Sequence, residues 1–83
     1  MSHLRTRVIK IVEDRLCAGD RLALADTDSF LMSGIADSLK LTALVEDLER
    51  EFQITVEPGE FSPDNLDSVA AIAAYLAGKG VAN

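Results

Sequence analysis

The sequence has no tryptophan, one tyrosine and three phenylalanines, so its interior must be built mainly from aliphatic side chains. Cys17 is the only cysteine, which excludes an internal disulfide. With that one thiol and a single histidine, His3, soft ligands are too few for a structural metal site. No apolar run approaches the ~20 residues needed to cross a bilayer, and no signal-peptide pattern is visible, so a soluble cytoplasmic protein is expected. At 83 residues the chain has room for one domain, with an ordered core expected over about 4–78. A domain of this size buries only about 60% of the surface its unfolded chain exposes. A deep catalytic cleft is hard to build in so thin a core, which favours a binding or interaction module over an enzyme.

Aliphatic and charged residues fill the space that aromatics leave. Apolar residues make up 48% of the chain and charged ones 27%, a globular composition rich in Ala and Leu, which favour helix. The net charge of −6 is unevenly spread: through Arg21 there are five Lys/Arg against three Asp/Glu, and from Leu22 onward three against eleven. Such an anionic body repels phosphate backbones, which argues against nucleic-acid binding, and is steered toward basic surfaces on other proteins.

Apolar spacing predicts a first helix from Leu4 to about Cys17, with Leu4, Val8, Ile11, Val12 and Leu16 on one face and Ile9 off the stripe. His3 falls in an expected frayed terminus, and Gly19 suits a left-handed stop. A long connection follows to Ala36, rich in Asp, Ser and Gly but also apolar, with a short helical turn expected around Phe30 to Ser33. Phe30 and Met32 are expected to fill the core. A second helix is predicted over Asp37 to Phe52, with Leu41, Leu44, Val45, Leu48 and Phe52 buried and Glu46, Asp47, Glu49, Arg50 and Glu51 on the outer face. Ile54-Thr55-Val56 has no partner strand and reads as an extended connector anchored by Ile54 and Val56. Ser62-Pro63 opens a short third helix ending near Leu66, and a last helix starts near Asp67-Ser68 and ends at Gly78 or Gly80. The expected fold is an all-α small four-helix bundle: three main helices, a short third one, and a long loop between the first two.

The segment with functional content is Gly34-Ile35-Ala36-Asp37-Ser38-Leu39, followed at once by an acidic amphipathic helix. It resembles the acyl and peptidyl carrier protein family, whose attachment motif is Asp-Ser-Leu at the start of the second helix, closely preceded by Gly. The similarity continues through Leu44–Val56 and Glu60–Val69, so it covers roughly Phe30 to Leu76. The tripeptide alone is a weak signal, whereas its spacing to two downstream blocks is a strong one.

The resemblance implies a discrete, monomeric carrier, not an enzyme. It would hold acyl or aminoacyl intermediates as thioesters on a 4'-phosphopantetheine arm attached to Ser38. Asp37 would orient the modifying enzyme or its metal, and Leu39 would add an apolar contact beside the arm. The implied partners are a phosphopantetheinyl transferase, a loading enzyme (an adenylating ligase or an acyltransferase) and a downstream synthase or transferase. The pathway could be fatty-acid, polyketide, nonribosomal-peptide or a related biosynthesis. The run from Asp28-Ser29-Phe30 to Ser38-Leu39 is also similar to discrete carriers paired with adenylating enzymes, including the D-alanyl type. Glu46, Asp47 and Glu51 are the expected partner contacts, while Lys40, directly after Asp-Ser-Leu, dilutes the negative surface.

Simpler readings stand beside these. Ser38 alone could be a helix cap, and two more Asp-Ser pairs, at Ser29 and Ser68, are expected to be only structural. Asp26-Thr27-Asp28 hints at a calcium loop, but Leu31 stands where the turn needs Gly and Asp37 where it needs Glu. The alternative function is an unmodified helical protein-protein interaction domain. A small serine or aspartate enzyme is remote, because no general base accompanies Ser38.

Overall fold

A computed structural model describes residues 3–82, and every regular element among them is helical. In chain order these are α1 (His3–Leu16), α2 (Phe30–Ser33), α3 (Ser38–Phe52), a 3-10 turn (Pro58–Glu60), α4 (Pro63–Leu66) and α5 (Val69–Gly78). The all-α class and the small bundle are as expected. The one-turn α2 makes the long connection an element of its own.

The spacing of apolar residues explains what each helix buries. Leu4, Val8, Val12 and Leu16 turn inward from α1; Leu41, Leu44, Val45 and Leu48 from α3; Val69, Ile72 and Leu76 from α5. α1 packs on α3 and α5, and the short α4 packs on α5 and contributes Leu66. Ile9 and Ile11 are half-buried at the edge of this core, so the apolar stripe of α1 is wider than its spacing suggests. His3 is not in a frayed end: it is the exposed first residue of α1. The chain leaves α1 through two left-handed residues, Ala18 (φ 52°) and Gly19 (φ 88°), and the Gly19 amide donates to the Glu13 carbonyl at 2.9 Å. Only Gly19 was legible as a stop, because a left-handed alanine has no composition signal.

The connector holds by alternation. Ile54 and Val56 are half-buried against the core and Thr55 is exposed, while the Val56 amide donates to a Glu49 carboxylate oxygen at 2.9 Å. Glu60 then ties the 3-10 turn to α5. Its Oε1 accepts from the Glu57 amide at 3.0 Å and from the Tyr75 hydroxyl and the Lys79 ammonium, each at 2.9 Å. The Glu57 amide, then Lys79 and Tyr75, hold the Glu60 carboxyl down at about 2, and burial, then the bond to Glu60, pushes the Tyr75 phenol up to about 12.

Because the folded-state value of Glu60 lies below its ordinary 4.5, its contribution to stability is complete above about pH 4.5 and is lost as pH falls toward 2. Thermal unfolding measured across that window is expected to show a shallower acid loss for Glu60→Gln than for the parent chain. Equal slopes would mean that this cluster does not control acid sensitivity.

Two expectations about side-chain placement are corrected. Phe30 is fully buried, but Met32 is 89% exposed. Two residues along a helix are about 200° apart, so a one-turn helix cannot turn both into the core. The predicted outer face of α3 also splits. Asp47 keeps only 17% of its side-chain exposure and accepts two bonds from Arg15 of α1, at 2.6 and 2.9 Å, with Arg50 at 3.3 Å. Arg15, and secondarily Arg50, hold the Asp47 carboxyl below the usual range. Glu49 is engaged with the connector, which leaves Glu46, Arg50 and Glu51 exposed on this stretch.

Candidate functional site at the start of α3

The turn between α2 and α3 is set by its own residues. Ser29 caps α2, its hydroxyl oxygen accepting from the Met32 amide at 3.0 Å, and Gly34 ends it in the left-handed region at φ 84°. The chain can then fold back, so that the Ala36 amide reaches the Phe30 carbonyl at 3.3 Å and Ala36 is buried. Asp37 is extended and caps α3: its Oδ1 accepts from the Lys40 amide at 2.8 Å and its carbonyl from the Leu41 amide at 2.9 Å.

Ser38 is thus the first helical residue, not the cap. It is exposed, its carbonyl accepts from the Thr42 hydroxyl at 2.9 Å, and its own hydroxyl bonds to nothing among the described residues. The amides of Ser38 and Leu39 have no acceptor there either. Free amides at a helix start attract anionic oxygen. Leu39 is 82% exposed beside the hydroxyl, and Lys40 presents an ammonium with no ion pair among the described residues. An accessible nucleophile precursor, free amides for a phosphodiester and a stiff 15-residue helix behind them form a mount for a group delivered from outside. Nothing adjacent would activate the hydroxyl, since Asp37 is spent on capping.

The other predicted site residues are spread along α3. Glu46 is exposed without an ion pair among the described residues, Glu51 is exposed and meets Arg7 at 3.3 Å, and Asp47 is turned toward α1. The two further Asp-Ser pairs are structural. Ser68 caps α5, accepting from the Ala71 amide at 3.1 Å, and Ser29, besides capping α2, donates to Asp67. Asp67 was missed as a cross-link because its partners lie 36 and 38 positions away. Cys17 is half-buried, and burial, then Glu13 and Asp20, push its thiol up, away from the reactive thiolate. No group of three or more potential metal ligands occurs among the described residues, and no helix there is long and apolar enough to cross a membrane.

Among the described residues the site is thus an exposed serine, its hydroxyl unbonded, at the start of the 15-residue α3 in a small helical bundle. A family model described as "Phosphopantetheine attachment site" matches residues 6–76, and the chain belongs to that family. The fold is similar to the solution structure of a holo acyl carrier protein from Nitrosomonas europaea, at 26% identity and a TM-score of 0.77, over 95% of this chain and 96% of that one. Among curated proteins, no sequence matches significantly. The chain is therefore a carrier and not a catalyst, and covalently attached phosphopantetheine is its cofactor. The residues at the start of α3 fit that group: a free hydroxyl for the ester and free amides for its phosphate.

Proposed function

We propose that Ser38 is the attachment residue and that the chain shuttles acyl or aminoacyl groups, held as thioesters, between biosynthetic enzymes of the cytoplasm. The observation that carries this reading is the exposed Ser38 hydroxyl, unbonded among the described residues, at the first position of α3. A phosphopantetheinyl transferase supplies the base and metal ion that the serine lacks. The Ser38 oxygen attacks the β-phosphorus of coenzyme A, which bears the pantetheine; its proton passes to the transferase's base, the bond between the two phosphates breaks, and adenosine 3',5'-bisphosphate leaves. Asp37 fixes the helix start against which that enzyme docks, and Leu39 offers an apolar contact. Held by Ser38, the group would supply a thiol that could carry the cargo as a thioester, loaded by an adenylating ligase or an acyltransferase and passed to a downstream synthase or transferase.

The test is co-expression with a promiscuous phosphopantetheinyl transferase, followed by intact-mass measurement. The expected result is one added arm, which peptide mapping locates on Ser38. An unmodified chain would favour the plain interaction domain instead.

Glu46 and Glu51 are the charges best placed for partner contact, because Asp47 is held by Arg15. Exposed charges raise encounter rates more than affinity. The double reversal Glu46→Lys with Glu51→Lys is expected to slow arm transfer about tenfold or more at low salt and much less at high salt. An unchanged rate at low salt would remove this face from the docking surface.

A further inference from the structure

We propose that Asp67 is a latch that keeps the bundle closed beneath the attachment residue, so that the carried group rides in solvent rather than in the core. The inference rests on Ser38 as the attachment site for the direction from which cargo would enter. Asp67 lies where three elements meet: it follows the last residue of α4, its amide donates to the carbonyl of Pro63, the first residue of that helix, and α5 begins two residues later. Its carboxylate reaches across to α2, accepting from the Leu31 amide at 2.9 Å and from the Ser29 hydroxyl, while its carbonyl accepts from the Phe30 amide at 2.8 Å.

One residue therefore fastens α2 to the α4–α5 junction. The same end of α2 is also tied to the approach to α3, where the Ala36 amide, two residues before that helix, donates to the Phe30 carbonyl. The side chains of Phe30 in α2 and Leu66 in α4 are part of the core, at 0% and 1% exposure. Leu44, Leu48, Ile72 and Leu76, which would have to line an internal cargo site, are all at 0%. A core packed at crystal-like density has no room for a chain of methylenes unless α2 or α4 moves away. Asp67 holds both through charge-assisted or backbone bonds. The chemistry this favours in the cargo is a short or polar acyl group, such as an aminoacyl group, which gains little by leaving water.

The experiment loads the protein with octanoyl- and with alanyl-phosphopantetheine, confirms both by intact mass, and compares amide spectra and thermal midpoints. In the parent chain the core amides of Leu44, Leu48 and Ile72 are expected to be the same in the two forms. In Asp67→Ala, the Leu31 amide is expected to exchange roughly tenfold faster or more. The octanoyl form alone should then shift the core signals. Ser29→Ala removes the hydroxyl's bond to Asp67 together with its cap on the Met32 amide, keeps the Asp67 bonds to Phe30 and Leu31, and gives the same pattern in weaker form if Asp67→Ala does not fold. Octanoyl-dependent core shifts in the parent chain, or a Leu31 amide indifferent to both variants, would overturn the latch. Failure of Ser38 to accept any arm would overturn the attachment reading instead, and Leu31 exchange in the unmodified proteins still decides whether the latch exists.

Discussion

Ser38→Ala is expected to abolish arm attachment completely while leaving stability within about 0.5 kcal/mol of the parent chain. The hydroxyl is exposed and supports no hydrogen bond among the described residues, and the α3 cap is made by Asp37, so its removal leaves none of them stranded. Alanine also suits a first helical turn. Intact mass after incubation with a transferase and coenzyme A should show no increment, and far-UV circular dichroism should show unchanged helix content. Ser29→Ala and Ser68→Ala are the controls, because both hydroxyls act as caps and both variants should still take the arm. A modified Ser38→Ala protein would place the attachment elsewhere and undo the functional reading.

The second large effect concerns stability and falls within the long connection. Phe30→Ala is expected to destabilise the fold by about 3–5 kcal/mol, as deletion of a fully buried aromatic does elsewhere. Chains of this length have a total stability of only about 4–12 kcal/mol, so the variant would be near unfolding. Phe30 sits at 0% exposure under α2, and its backbone is tied to both Asp67 and Ala36. The cavity it leaves can collapse little while those bonds hold. Urea unfolding should show a much lower midpoint with little change in slope. Met32→Ala, two residues on and 89% exposed, should change stability by less than about 0.5 kcal/mol. Equal effects of the two substitutions would mean that α2 is not packed as described.

The contrast between Phe30 and Met32 marks the limit of pattern reading. In α1, α3 and α5 the helical period repeats often enough to separate the buried face from the exposed one. In a four-residue helix there is one turn and no repeat, so two apolar residues look equivalent. The acidic helix α3 shows a different limit. Its charged positions were legible as non-core, but which of them remain free depends on cations from elsewhere: Arg15 claims Asp47 from 32 positions away. The exposed apolar Leu39 beside Ser38 was legible because the motif itself placed it.

Local chemistry was enough for the helix stripes, a cap at Asp37 or Ser38, the Ser68 cap, the left-handed Gly19 and the serine that heads α3. Each of these depends on neighbours within a turn or two, where short-range sterics and hydrogen bonding dominate. The bonds of Asp67 to α2, of Arg5 to Asp26 and of Glu60 to Tyr75 and Lys79 were decided by the packing of α1, α4 and α5, which brings together residues 15 to 38 positions apart. No local pattern records such a meeting, because it depends on how apolar faces far apart in the chain pack together.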